Sequence, residues 1–270
     1  MNFFQAIFLG VIQGLTEFIP VSSSGHLVLT QYFFGIGEGG DITFELFMHL
    51  GTLMAVLVYF RKTLWDMLVS LFSWGNTMNG ESHRKNRNMI LFLGSASLAT
   101  GIFYALFGSY LKQIYDMPIT VAVLLLFTGA IVFVSDYLKD SGIPASNMGL
   151  WRSIIVGLAQ GFAILPGISR SGTTITASLA TGIKRRDAAY FSFLLSIPAI
   201  LAANVSEYKS FTMLDTNQLH VYIAGFVSSM IVGYMVIAFL IRLIETNCLK
   251  YFAMYCWIVG LISILIMAFR

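Results

Sequence analysis

The sequence predicts an all-α polytopic membrane protein, and three observations lead to this prediction. The chain is 57% hydrophobic and only 11% charged, with a mean hydropathy of +0.79. Apolar runs of nearly twenty residues recur along it, long enough to cross a hydrocarbon core roughly 30 Å thick. The runs have no polar face at helical spacing, which argues against a soluble helical core. In lipid such segments must be helices, because backbone groups there have to pair internally.

Six spans and two broken apolar regions are predicted. The spans cover about 43–60, 88–108, 117–136, 187–205, 219–241 and 250–269. The broken regions are 1–36, interrupted at 20-PVSSSG-25, and 150–183, interrupted at 166-PGISRSG-172. Proline, glycine and clustered serine break helices and favour turns. Non-helical backbone at membrane depth is tolerated only where it lines protein or a water-filled cavity, so both interruptions are candidate sites.

The two broken regions resemble each other. Comparison of 10-GVIQGLTEFIPVSSSG-25 with 157-GLAQGFAILPGISRSG-172 shows glycine, Gln-Gly, proline and Ser-x-Ser-Gly in the same order, with ends 147 residues apart. We therefore interpret the chain as one integral membrane domain, 1–270. It would contain two repeats of about 1–138 and 148–270, each a re-entrant helical hairpin followed by three transmembrane helices.

Basic residues orient the spans, since cytoplasmic loops are enriched in lysine and arginine. Twelve of them fall on one side when the spans alternate: Arg61, Lys62, Arg84, Lys85, Arg87, Lys139, Arg152, Lys184, Arg185, Arg186, Arg242 and Lys250. Those in the 61–87 stretch are expected in one loop. Lys112, Lys209 and Arg270 fall on the other side.

This orientation predicts that the second hairpin enters and leaves from the cytoplasm and that the first opens to the extracytoplasmic side. An odd number of spans separates the hairpins, so the second repeat is inverted. Inverted repeats with discontinuous helices are typical of secondary transporters, and a lipid-phosphate transporter or flippase is therefore an alternative function. A purely structural scaffold would leave the polar turns unexplained.

Ionisable residues within membrane segments indicate functional sites, because burying them is costly. The first hairpin contains Glu17, four residues after Gln13 and so on the same helix face. Ser22, Ser23 and Ser24 follow, and one of them suffices to cap the next helix. His26 lies in the first turn of that helix, beside the serines and within ten residues of Glu17. We interpret it as reactive.

The second hairpin contains Arg170, flanked by Ser169 and Ser171 and followed by Thr174. A helix is expected to start here, and free backbone N–H groups at a helix start bind anions. A guanidinium among hydroxyls adds bidentate bonds that suit phosphate. Arg170 could also pair with Glu17 in the empty site, which is compatible with phosphate binding. Together the hairpins offer the parts of a phosphoryl-transfer site, and the natural substrate is a phosphate carried on a lipid.

Three motifs are similar to those of the undecaprenyl-diphosphatase family, also called bacitracin-resistance proteins. The segment 13-QGLTE-17 matches the family's Glu or Gln, three residues, then Glu. The segments 20-PVSSSGH-26 and 166-PGISRSGTT-174 match its other two patterns. The resemblance covers essentially the whole chain, including its length and span pattern.

The resemblance implies hydrolysis of undecaprenyl diphosphate to undecaprenyl phosphate and inorganic phosphate in the bacterial inner membrane. This reaction regenerates the lipid carrier for peptidoglycan precursors and confers bacitracin resistance. The implied catalytic residues are the acid Glu17, Ser23, His26 and Arg170. Two assignments stay open: whether Ser23 or His26 is the nucleophile, and, if it is Ser23, whether His26 or Glu17 takes its proton. The implied phosphate-binding residues are Gln13, Ser22, Ser169, Ser171 and Thr174.

The resemblance also leaves a divalent cation, Mg²⁺ or Ca²⁺, as an open cofactor. Glu17 and Gln13 are its candidate ligands, and Gln13 would supply a neutral oxygen where other members have Glu. The expected partners are a polyprenyl diphosphate lipid and the bilayer, with a homodimer as an option. No nucleic-acid partner is predicted.

Overall fold

The computed structural model describes residues 1–36, 42–73, 80–112, 114, 117–139, 141–207, 218–244 and 248–269. Lys209 and Arg270, used above for orientation, lie outside these ranges. The described chain is built from helices: α1 Phe3–Thr16, α2 Ser23–Phe34, α3 Ile42–Tyr59, α4 Arg61–Phe72, α5 Gly80–Lys112, α6 Pro118–Ser135, α7 Gly149–Phe162, α8 Arg170–Ala180, α9 Arg185–Ser206, α10 Leu219–Ile244 and α11 Lys250–Ala268.

The prediction of a polytopic helical membrane protein is confirmed. Within the described residues, five helices are long and apolar enough to cross a membrane, namely α5, α6, α9, α10 and α11. The α3–α4 pair, bent by 72°, would be a sixth. Both broken regions are helix pairs: α1 and α2 around the turn 17–22, and α7 and α8 around the turn 163–169.

The stretch after the first span differs from the prediction. Residues 61–87 were expected to form one loop, but Arg61–Phe72 is a helix, and Arg84, Lys85 and Arg87 lie on α5. Hydropathy detects long apolar runs and misses this amphipathic helix, whose Met67 and Ser70 are buried while Trp65 is exposed. The early start of α5 is supported by the helix formers Glu81, Arg84, Lys85 and Arg87 and by the Glu81–Lys85 ion pair of 2.7 Å.

The two hairpins pack in the same way on their neighbours. The first helix of each lies along a long span, α1 along α10 and α7 along α5. Glycine allows this approach: a methyl group on Gly10 would overlap the carbonyl of Gly225, and one on Gly157 would overlap that of Ala96. Between them α6 packs along α11, so the polar turns are surrounded by protein.

Candidate active site

The turn of the first hairpin is held by Glu17 and Ser22. Glu17 is the C-cap of α1, and its backbone N–H donates to the Gln13 carbonyl. Ser22 is the N-cap of α2, and its hydroxyl accepts the Gly25 N–H at 3.3 Å. Its φ of 71° is the one positive value of a non-glycine residue in the described ranges. Such strain collects at functional sites, and here it places Ser23 at the first position of α2.

The turn of the second hairpin is fastened by Thr128 from α6. The Thr128 hydroxyl donates to the Gly167 carbonyl at 2.7 Å and accepts the Ser169 N–H at 2.9 Å. Ser169 caps α8 by accepting the Gly172 N–H at 3.0 Å. Arg170 is therefore the first residue of α8, which confirms that a helix starts at the SRSG motif.

The two turns meet at the carboxylate of Glu17, which is buried. Arg170 Nη2 donates to Glu17 Oε1 at 2.6 Å. Ser23 Oγ donates to Glu17 Oε2 at 2.6 Å, and Gln13 Nε2 donates to the same oxygen at 3.0 Å. One carboxylate thus joins three predicted site residues from three helices. Its pairing with Arg170 compensates both charges at a buried position.

Predicted phosphate-binding hydroxyls surround Arg170. Ser169 Oγ and Ser171 Oγ lie 3.2 Å apart, and Ser171 Oγ donates to the Ile19 carbonyl at 3.3 Å. Thr174 Oγ1 bonds to Ser192 Oγ at 2.6 Å. All of these hydroxyl-bearing residues are buried. The start of α8 therefore combines backbone N–H groups, hydroxyls and one guanidinium, which is the chemistry of an anion site.

His26 lies on α2 in the first turn of the helix, and its two ring nitrogens bond to residues other than Glu17. Nδ1 lies 2.8 Å from the Ser22 carbonyl oxygen, and Nε2 lies 2.9 Å from the Tyr255 hydroxyl. Tyr255 belongs to α11 and was not predicted from the sequence. No local pattern connects two residues 229 positions apart, so only the packing of α11 reveals the contact.

His49 also lies beside Glu17, and no role was predicted for it although it is an ionisable residue of an apolar span. It lies on α3, its Nδ1 is 2.8 Å from the Glu45 carbonyl oxygen, and its Nε2 is 4.0 Å from Glu17 Oε2. The signal that marks it is its ionisable side chain within an apolar span. Its neighbour Glu45 accepts from Gln31 at 3.3 Å, so this side of the site is polar as well.

Two oxygens of the site suit a hard cation. Gln13 Oε1 is buried and receives no hydrogen bond within the described residues, and the Glu17 carboxylate is adjacent. Mg²⁺ and Ca²⁺ prefer such oxygens. In the described parts of the chain, no group of three His, Cys, Asp or Glu side chains could hold a metal ion. The pair therefore fits a cation that takes its other ligands from substrate and water.

The arrangement contains the elements of nucleophilic phosphoryl chemistry. Ser23 and Glu17 form a hydroxyl–carboxylate pair within proton-transfer distance. Arg170 and the start of α8 offer positive charge beside them, where charge would build on phosphate oxygens. The two turns and the first residues of the helices that follow them supply these groups, while the outer faces of the helices are apolar.

The chain is similar to known proteins over nearly its whole length. Residues 6–262 match the family of the bacitracin resistance protein BacA. The undecaprenyl-diphosphatase of Methanobrevibacter smithii is 40% identical over 97% of this chain and 96% of its own length. That of Treponema denticola is 40% identical over the same shares, and that of Halothermothrix orenii is 38% identical over 98% of each chain. This chain therefore belongs to the bacitracin resistance protein BacA family.

Proposed function

We propose that the protein is an undecaprenyl-diphosphate phosphatase. It hydrolyses undecaprenyl diphosphate to undecaprenyl phosphate and inorganic phosphate, which recycles the lipid carrier for cell-wall synthesis and confers bacitracin resistance. Family membership and the names of the relatives support the reaction. The observation that carries the proposal is the Glu17 carboxylate, which accepts from the Ser23 hydroxyl on one oxygen and from Arg170 on the other.

The first step forms a phosphoenzyme on Ser23. The diphosphate enters between the turns, and Arg170 with the hydroxyls at the start of α8 binds the terminal phosphate. Ser23 Oγ attacks the terminal phosphorus while its proton passes to Glu17 Oε2, 2.6 Å away. The bond between the phosphorus and the bridging oxygen breaks, and undecaprenyl phosphate leaves with that oxygen.

The second step releases inorganic phosphate. Water attacks the phosphoserine, the bond between Ser23 Oγ and phosphorus breaks, and the proton held by Glu17 returns to Oγ, while the oxygen and both protons of the water leave with the inorganic phosphate. Arg170 stabilises the charge on the phosphate oxygens in both steps. The free serine and the ionised Glu17 then stand ready for the next diphosphate.

His26 is the rival nucleophile, and its surroundings favour Ser23. Its Nδ1 is hydrogen-bonded to the Ser22 carbonyl and its Nε2 to the Tyr255 hydroxyl, so neither nitrogen has a free lone pair for attack on phosphorus. Trapping the phosphoenzyme distinguishes the two. We expect an acid-stable phosphoserine; an acid-labile phosphohistidine would assign the attack to His26.

A divalent cation, Mg²⁺ or Ca²⁺, belongs to this proposal. Glu17 and Gln13 would hold it, and it would supply positive charge to the diphosphate oxygens. Titrating Mg²⁺ or Ca²⁺ into chelated protein while phosphate release is followed measures the requirement.

The finer arrangement in the membrane is also a proposal. The two hairpins would be re-entrant and related as inverted repeats in the bacterial inner membrane, with the first opening to the extracytoplasmic side and the prenyl tail in lipid. Equivalent glycine contacts of α1 and α7 support the repeat. Labelling of single cysteines from each side tests the orientation, and the mass of the purified particle tests a homodimer.

Phosphate release by the pure protein in detergent tests the function. We expect release from undecaprenyl diphosphate, and a loss of about 100-fold or more in Ser23→Ala and Arg170→Ala. Ser206→Ala, at the exposed end of α9, is the matched control and should keep wild-type activity. No release by the intact protein would reject the enzyme and leave the lipid-phosphate transporter as the better function.

A further inference from the structure

Tyr255 connects α11 to the reactive turn through His26. The Tyr255 hydroxyl lies 2.9 Å from His26 Nε2. The two rings are also nearly parallel, with centroids 5.5 Å apart and planes at 5°. His26 is buried, whereas Tyr255 is 44% exposed on the outer face of the helix bundle. Tyr255 therefore covers the imidazole from the outer face of the bundle.

The partners of His26 define where its proton lies. The Ser22 carbonyl oxygen can only accept a hydrogen bond, so His26 Nδ1 must carry the hydrogen. In the neutral ring Nε2 is then an acceptor, and the Tyr255 hydroxyl is its donor. Tyr255 thus stabilises the tautomer that donates to Ser22.

The Ser22 carbonyl is bound twice by His26. It accepts the His26 backbone N–H at 3.1 Å and His26 Nδ1 at 2.8 Å. Ser22 has a φ of 71°, a conformation that a serine adopts only when its surroundings hold it there. The next residue is Ser23, whose hydroxyl must stay 2.6 Å from Glu17.

We propose that Tyr255 is a positioning residue, and that it and His26 act through the Ser22 carbonyl to hold the strained turn that presents Ser23 to Glu17. The proposal rests on the proposed phosphatase function. It assigns His26 the role of a hydrogen-bond donor to the turn rather than that of nucleophile or base.

Asparagine in place of His26 separates the two roles. Its amide nitrogen can replace Nδ1, and the chain already contains this bond: Asn204 Nδ2 donates to the carbonyl four residues earlier, at 2.9 Å. We expect His26→Asn to keep at least one tenth of the wild-type kcat and His26→Ala to lose about 100-fold. Equal inactivation of both variants, with thermal unfolding unchanged, would overturn the proposal. It would show that activity requires the imidazole itself, as a nucleophile or base, and not only a hydrogen-bond donor to Ser22.

Phenylalanine in place of Tyr255 removes the hydroxyl and keeps the stacked ring. We expect kcat to fall about 10-fold with KM unchanged, since the serine is misplaced while the phosphate site is intact. In the His26→Asn background the same change should have no further effect, because asparagine has no Nε2 for the hydroxyl to bind. Tyr251→Phe, one turn earlier on α11 and exposed, is the control and should be fully active.

Each outcome bears on one proposal. Full activity of Tyr255→Phe, or an equal loss in both backgrounds, would overturn the role of Tyr255 while leaving the phosphatase intact. An inactive wild-type protein would reject the phosphatase itself. The two failures are therefore distinguishable in one set of measurements of phosphate release.

Discussion

The two hairpin turns share the same capping hydrogen bonds, but they differ in chemistry and in the backbone angle of the cap serine, with φ of 71° at Ser22 and −73° at Ser169. In each, a serine caps the following helix by accepting the N–H of a glycine three residues later, Gly25 for Ser22 and Gly172 for Ser169. In each, the cap hydroxyl also contacts the serine two residues on, at 3.3 and 3.2 Å. The matched positions lie 147 residues apart. The residue between those serines is what differs: Ser23 in the first turn and Arg170 in the second.

Both of these residues reach the same carboxylate, from opposite turns. Ser23 bonds to one oxygen of Glu17 and Arg170 to the other, each at 2.6 Å. Only the first turn contains the acid; Ile164 occupies the matching position, counted from Gly157. A second buried carboxylate would need its own partner, whereas one acid and one arginine compensate each other. The comparison shows how one capping pattern, used twice, can divide a reaction into a nucleophilic half and an anion-binding half.

Removing the charge of Glu17 should have the largest effect, because both halves depend on it. Glu17→Gln keeps the shape but deprives Ser23 of its base and leaves Arg170 without a counter-ion. We expect kcat to fall about 1,000-fold, in the range of general-base losses. Phosphate release measures the change, with Glu81→Gln on the exposed start of α5 as control. Activity within 10-fold of wild type would show that Glu17 is not the base in the reaction.

Replacing the guanidinium by an ammonium should affect mainly the anion-binding half. Arg170→Lys keeps the charge and loses the planar fork that binds two phosphate oxygens at once. We expect kcat/KM to fall about 100-fold, with an increase in KM. Steady-state kinetics test this, and Arg84→Lys, exposed on α5, provides the comparison. An unchanged KM would show that Arg170 serves only as the partner of Glu17.

The two turns can be predicted well from the sequence, whereas the residues that other helices pack against them cannot. Proline, glycine and serine at matched positions identify both turns, because few residue types break a helix in lipid and cap the next one. A pairing of Glu17 with Arg170 was anticipated as one option, since two opposite charges buried in apolar segments have few other partners. The contact of Tyr255 follows from how α11 packs against the first hairpin, which no local pattern encodes. His49 stands out in the sequence only as an ionisable residue in an apolar span, and its place beside Glu17 follows from the packing of α3.

Thr128 bonds only to the second turn, so its substitution should destabilise that turn and leave the first turn unchanged. Thr128→Val keeps the shape but leaves the buried Gly167 carbonyl and Ser169 N–H without their partner. We expect the protein to lose about 2 kcal/mol of stability. Thermal unfolding in detergent measures this, and Thr120→Val on the same helix should change it little. If both variants unfold at the same temperature, the second turn does not depend on the hydrogen bonds of Thr128.

Glycine at the two cap serines should give the smallest and most discriminating difference. At Ser169, with φ of −73°, glycine loses the cap bond and gains nothing, so stability should fall by a few tenths of a kcal/mol, roughly. At Ser22, with φ of 71°, glycine also relieves strain, and stability should be unchanged or rise by about 0.5 kcal/mol. Thermal unfolding of Ser22→Gly and Ser169→Gly side by side compares them. If Ser22→Gly is the less stable variant, the cap hydroxyl contributes more to the stability of the first turn than the relief of backbone strain does. The two turns would then depend on their cap hydrogen bonds in the same way, despite their different φ angles.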